Sequence, residues 1–235
     1  MSISVTTPGP APFAVSVEVS KDHPRGRLGD DVADALATAG SGDGGAQVWI
    51  IDVRDGDDEA LAAHGLVPYR DLLQLRCELP VEPAGIETRP FDPDTDVQAF
   101  IEVNNRAFAW HPEQAGLTPE RLAATMAEPW FDADGFRLHE IDDRLAGFCW
   151  TKIHPARPSQ GEPELGEIYV IAVDPDFHGQ RLGGPMTRAG LDWLADRGIT
   201  TAMLYVEADN DAAVRTYERI GFFRHATNRA YRCDR

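Results

Sequence analysis

The sequence predicts an α/β (α+β) fold built as one complete unit preceded by a partial copy of the same unit. Three observations carry this. The stretch Leu165 to Ala195 reads as a strand, a glycine-containing turn and a helix. Ile168 to Val173 is an unbroken run of β-branched, aromatic and small apolar residues, the composition of a central strand covered on both faces. A second such pattern lies near the N-terminus, at an almost constant distance from the first. Arg27-Leu28-Gly29 falls under Arg181-Leu182-Gly183, an offset of 183 − 29 = 154, and Gly65 falls under Gly221, an offset of 221 − 65 = 156. Two offsets that agree this closely over some sixty positions indicate duplication.

Taken in order, residues 1–12 are rich in Pro and Thr and are expected to be disordered. Residues 13–80 form the partial copy, which begins at its equivalent of the Leu165 strand. Val17 and Val19 lie under Ile171 and Val173, Ala35 under Ala189, and Arg76-Cys77-Glu78 under Arg232-Cys233-Asp234. Val48 to Val53 is a strand, and Asp57 to Ala63 a short helix stopped by Gly65. Residues 81–85 are a linker in a Pro-rich stretch, and 86–235 form the complete copy. Within it, Asp94 to Phe108 has helical periodicity and Ala109 to Gly116 is a loop. Thr118 and Pro119 read as the N-cap and first residue of another helix. Phe136 to Ile141 and Leu145 to Ile153 form a hairpin about Asp142-Asp143. Beyond the central helix, Ile199 to Glu207 is a strand. Asn210 or Asp211 caps a helix with Val214, Tyr217 and Ile220 on one face, and Phe222 to Arg232 supplies the last two strands.

Composition excludes several function classes. A formal net charge of −17 offers no basic stripe for nucleic acid and no attraction to anionic membranes. Cys77, Cys149 and Cys233 form neither a C-x-x-C pair nor an even framework, so disulfides and zinc are not expected. His111 and His154 lack companion ligands, and no metal is expected. The N-terminus has no basic region with a long apolar core, and no apolar run reaches membrane-span length. The expectation is a cytoplasmic monomer.

The turn at Asp174 to Gly184 aims unpaired N–H groups and a positive helix end at one spot, which suits a phosphate. A P-loop would require GK followed by Ser or Thr, and a dinucleotide fingerprint would require G-x-G-x-x-G; neither is present. With Val173-Asp174-Pro175 ahead of it and a helix behind, the turn resembles the coenzyme A loop of the GNAT acetyltransferases. The likeness extends over nearly the whole chain. NNRAFAWHPEQ (Asn104 to Gln114), EPWFD (Glu128 to Asp132), GFCWTKIH (Gly147 to His154), LGEIYVIAVDP (Leu165 to Pro175) and LYVEADNDAAVRTYERIGF (Leu204 to Phe222), in this order, resemble the mycothiol synthases, a family of tandem GNAT enzymes.

That resemblance implies acetyl transfer from acetyl-CoA to the cysteinyl amine of a cysteinyl-glucosaminyl-inositol, with a first copy that holds acetyl-CoA without catalysing transfer. It implies coenzyme A contacts at Ile171, Ala172 and Val173, at His178, Gly179, Gln180, Arg181, Leu182, Gly183 and Gly184, and at Asn210, Asp211, Ala212, Ala213, Val214 and Arg215. It implies acceptor contacts at Glu113, Lys152, Glu167 and Tyr205, and an acid at Tyr217. The chemistry supports a carboxylate at Glu167 independently. An α-amine with a pKa of about 7.7–8.0 is mostly protonated at neutral pH, and only its neutral form attacks a thioester, so a proton acceptor is needed. One departure stands out: Arg181 occupies a glycine position of the family's loop, and Pro185 follows it in the first helical turn. That departure and the truncated first copy leave two other readings open, a GNAT enzyme for another small amine and a non-catalytic acyl-CoA-binding relative.

Overall fold

The computed structural model describes residues 2–10, 12–40, 45–110, 116–158 and 161–233. Contacts divide the chain into two compact units. The first comprises Met1–Gln74, Val206–Asp211 and Arg224–Arg235, and the second comprises Leu75–Tyr205 and Ala212–Phe223.

The first unit contains β1 (Ile3–Thr6), β2 (Val15–Val19), α1 (Leu28–Ala39), β3 (Ala46–Ile50), α2 (Asp57–Ala62), most of β4 (Val67–Glu78) and nearly all of β10 (Phe223–Cys233). The second contains β5 (Arg89–Pro90), α3 (Val97–Ala107), α4 (Pro119–Met126), β6 (Phe136–Ile141), β7 (Arg144–His154), β8 (Leu165–Val173), α5 (Gly183–Asp196), the start of β9 (Thr201–Glu207) and most of α6 (Asp211–Ile220). Strand order is β1-β2-β3-β10-β4 in the first unit and β9-β8-β7-β6-β5 in the second. One element order recurs along the chain. β2-α1-β3-α2-β4 corresponds to β8-α5-β9-α6-β10, and α1 and α5 begin 183 − 28 = 155 residues apart.

The structure departs from the sequence expectation at three places. Residues 3–6, expected to be disordered, form β1, with Ile3 opposite Val19 and Val5 opposite Val17; ISVT is rich in β-branched residues and suits an added antiparallel strand. The two strands expected over Phe222 to Arg232 are one, β10. No Gly or Pro interrupts it, and Asn228 accepts the Asp52 N–H (3.1 Å) rather than making a turn. The contact units also do not follow the copies. Arg229 to Cys233 of the second copy pair antiparallel with Ile50 to Ala46 of the first. There Arg229 grips Asp71 (2.7 and 2.8 Å) and Asp58 (3.0 and 2.7 Å), while Tyr231 O–H donates to Asp58 (2.6 Å). These donors hold the Asp58 carboxyl below the usual carboxylate range. Conversely, Leu75–Glu78 of β4 fall in the second unit, where Leu79 N–H donates to Thr200 O (2.9 Å).

The second unit's core is aromatic. Phe136 stacks on Phe91 and Trp150 (4.5 and 4.7 Å between centroids), and Phe100 meets Phe136 and Phe148 edge-on. Such pairs add to what their buried area contributes. On the other face, α5 presses onto the sheet at Gly190. A Cβ there would lie 2.5 Å from Cys149 Sγ and 2.9 Å from Ile168 Cδ1, so only glycine lets the helix come this close.

Candidate active site

The site is organised by a defect in β8. In the ladder between β7 and β8, Trp150 opposes Val170 and Thr151 opposes Ile168, which leaves Tyr169 as one extra residue on β8. Such a bulge bends the strand and re-aims the side chains beyond it. On the opposite edge, the parallel ladder to β9 consists of Gly166 with Ala202 and Glu167 with Met203. Beyond Glu167 the two strands part. Along Ile168 to Val173 the backbone edge facing β9 is thus free to pair with an extended ligand. Burial follows this split. Leu165 to Ile168 are buried, whereas Tyr169 to Val173 are half-buried. The doubly covered strand that the apolar run suggests is covered only in its first half, and Ile171, Ala172 and Val173 line the parting.

Glu167 sits where the parting begins. It is buried, its ladder partners are Lys152 and Met203, and its carboxylate meets His154 Nε2 at 2.6 Å. Lys152, two residues before His154 on the same face, holds its ammonium 4.4 Å from the Trp130 ring and 5.4 Å from the Tyr169 ring. A cation over two aromatic faces is attracted by both ring quadrupoles, which hold it in place. Tyr205 lies two residues past Met203 and is exposed, so it is not a core residue of its strand. Beside the bulge opens a cavity of about 320 Å³, lined by Phe100 and Asn104 of α3, Arg121 and Thr125 of α4, and Trp150, Tyr169 and Val170.

After β8, Asp174 accepts the Asp176 N–H (2.9 Å) and is gripped by Arg106, which starts a short 3-10 turn over Pro175–Phe177. Exposed His178 faces Val173 O at 3.1 Å. Gly179 then takes φ +85 and Arg181 φ +60. Arg181 therefore adopts the left-handed backbone that a glycine would give, at a cost of about 1–2 kcal/mol. The loop turns there as it would on a glycine, and the arginine leaves it strained. Arg181→Gly is accordingly expected to hold or raise the thermal midpoint, although a new glycine in an unstrained loop ordinarily lowers it; a melting curve checks this. Leu182 is buried, and α5 starts at Gly183 with no side-chain cap and no acidic residue in its first turn. The N–H groups of Gly183 and Gly184 and the positive helix end are left for an anion, with Pro185 contributing none.

Tyr217 lies on α6 in the second unit, its ring 5.8 Å from Phe222. Burial, with an added contribution from the Cys149 thiol, pushes the Tyr217 hydroxyl well above its ordinary range, so it remains a proton-bearing donor. Cys149 is the ladder partner of Ile171, which brings Tyr217 within electrostatic reach of the strand segment along the parting. Ala212, Ala213, Val214 and Arg215 form the N-terminal part of α6 in this unit. Asn210 and Asp211 fall in the first unit, where the Asn210 N–H donates to Glu207 O (3.0 Å). Glu113 and His111 lie outside the described residues. Sequence reasoning missed the contact of His154 with Glu167 and the cavity beside Tyr169. The alternation of Lys152 and His154 on one face was the available signal for the first.

In the first unit, the equivalent strands do not part. Val15 to Val19 pair with Ala46 to Ile50 over all five residues without a register shift. Arg25 crosses their ends, donating to Ser20 O (3.4 Å), Ile51 O (3.1 Å) and Asp52 O (3.2 Å), and pairs with Asp57 at 3.2 Å. His23, under His178 by an offset of 178 − 23 = 155, is buried against Asp31 (3.3 Å), and α1 opens on Asp30 and Asp31. Closed strands and an acidic helix start do not suit a phosphate.

Among the described residues no helix is long and apolar enough to cross a membrane, and no group of His, Cys, Asp and Glu is arranged to hold a metal ion. The Acetyltransferase (GNAT) family matches residues 99–222. The chain is 43% identical to the mycothiol acetyltransferase of Tsukamurella paurometabola, over 97% of this chain and 80% of that protein. It is 41% identical to that of Rhodococcus erythropolis, over 91% and 74%. Among solved structures, a GCN5-related N-acetyltransferase from Sphaerobacter thermophilus superposes with a TM-score of 0.72 at 20% identity, over 98% of this chain and 76% of that one. A tandem GNAT protein from the clavulanic acid biosynthesis pathway superposes at 0.62 and 14% identity, over 92% and 74%. The family match and the two relatives, which this chain resembles over most of its length, show that the chain belongs to the GNAT acetyltransferases, within the mycothiol acetyltransferase family.

Proposed function

We propose that this acetyltransferase moves acetyl from acetyl-CoA to the cysteinyl amine of cysteinyl-glucosaminyl-inositol, the last step of mycothiol biosynthesis. The observation that carries the mechanism is the place of Glu167 at the point where β8 and β9 separate. The pantetheine arm lies along the free edge of Ile171 to Val173, and the pyrophosphate rests on the Gly179 to Gly184 turn. The thioester then lies near the bulge. Glu167 takes the proton of the attacking amine, directly or through water, and Tyr217 gives a proton to the departing thiolate. Lys152, Glu113 and Tyr205 offer a cation, an acid and a hydroxyl to a polyhydroxylated acceptor. Residues 13–80 and 86–235 are two copies of one unit, partial and complete, and their shared element order supports that division.

Incubating the protein with acetyl-CoA and the cysteinyl pseudodisaccharide, with thiol release followed, tests the reading. Release that depends on this amine is expected. Release that is equal with unrelated small amines would sink the acceptor assignment.

The closed first copy leads to a further expected result. Calorimetry gives one acetyl-CoA per chain rather than one per copy, and a stoichiometry of two would refute it. Arg181, exposed on its strained turn, adds charge for the pyrophosphate. Arg181→Gly is therefore expected to weaken acetyl-CoA binding and flatten its salt dependence; tighter binding would instead show the side chain to be an intrusion.

A further inference from the structure

We propose that His154 is a positioning residue for Glu167 and the exit for the proton that Glu167 collects. This rests on the reading of Glu167 as the base. The acceptor amine enters mostly as an ammonium, so each turnover must release one proton: RNH3⁺ + acetyl-CoA gives the amide, free coenzyme A and H⁺. In the transfer itself the amine nitrogen bonds to the carbonyl carbon and the carbon–sulfur bond breaks. In becoming the amide the ammonium nitrogen gives up two protons: one leaves through Glu167 as the H⁺ released, and the other replaces, through solvent, the proton that Tyr217 gives to the sulfur.

Glu167 is poorly placed to return its proton to water. Its side chain is 11% exposed, while that of His154 is 30% exposed. The two meet at 2.6 Å between Nε2 and Oε2. The imidazole can take a proton from Glu167 on one ring nitrogen, and its second nitrogen gives the proton a way out. Before the reaction the same contact fixes which way the carboxylate points, the arrangement in which a base is oriented by a third group. The charged and titratable groups nearby are Glu167 itself, Lys152 two residues away on the same face, and Tyr169, whose hydroxyl is pushed up by burial and by Glu167 and Glu128. Lys152 is turned toward Trp130 and Tyr169, which leaves His154 as the described group on the carboxylate.

Three variants of the full chain test this: His154→Gln, Glu167→Gln and the double variant. Glutamine can still donate a hydrogen bond to Glu167 but cannot carry a proton. Thiol release by His154→Gln at saturating substrates is expected to fall about 10- to 100-fold, less than the ~10²–10⁴ of the base itself, with the acetyl-CoA KM unchanged. Its rate should rise with the concentration of imidazole buffer, whereas that of the parent should not. In the Glu167→Gln background the histidine change should bring no further loss. A parental rate in His154→Gln, a flat response to imidazole, or losses that multiply in the double variant would each overturn the proposal. Circular dichroism of each variant shows whether it has folded. If Glu167→Gln is itself as fast as the parent, the base assignment falls. If it is slow while His154→Gln is not, only the relay falls.

Discussion

Glu167→Gln lowers the turnover number by about 10²–10⁴-fold, the range for losing a general base. The side chain keeps its size and its place on β8, so packing and the Lys152 and Met203 ladder partners are undisturbed. What is lost is proton affinity. The deficit therefore depends on pH: above the amine's own pKa, about 7.7–8.0, the nucleophile arrives neutral and much of the rate returns. A pH–rate profile of parent and variant is the measurement. A deficit of the same size at every pH, or a rise in the acceptor's KM with turnover unchanged, assigns Glu167 to acceptor binding instead.

Tyr217→Phe is expected to lower turnover with acetyl-CoA affinity nearly unchanged, the pattern of an interaction made only in the transition state. Phenylalanine keeps the face shared by Val214 and Ile220 and the edge-on contact with Phe222. Burial keeps the proton on Tyr217, and in the proposed reaction an O–H donor at the departing sulfur has most effect at that moment. Steady-state kinetics with independent measurement of acetyl-CoA affinity separates the two quantities. A phenylalanine variant as active as the parent would falsify the role.

Much of this was legible in the residues. The apolar run after Glu167, the glycine turn and the helical spacing of Met186, Ala189 and Trp193 fixed strand, turn and helix, because each follows from local periodicity. The offsets of 154 and 156 point to a repeat, and the same element order recurs along the chain. Arg181 was recognisable as a residue standing in a glycine position, and its φ of +60 is the backbone consequence. The candidate pair Glu167 and Tyr217 came from motif and chemistry together.

What only the tertiary structure decided concerns pairing, which no local pattern encodes. Val15 to Val19 and Leu165 to Val173 are both strands rich in β-branched residues, yet the first is paired with its parallel neighbour along its whole length and the second over two residues. The difference arises from the bulge at Tyr169 on one side and from Arg25 tying strand ends on the other. The exchange of β10 into the first unit has the same origin. Its antiparallel partner β3 lies about 180 residues away along the chain, and backbone hydrogen bonds are blind to sequence distance. The meeting of His154 with Glu167 likewise needed the β7–β8 register, because a slip of one residue would have turned the imidazole to the other face. The sequence by itself determined most of the elements, a recurring order among them and the chemistry on offer. Strand register and parting, set by long-range hydrogen bonding, decided which copy has an open cleft and which side chains meet in it.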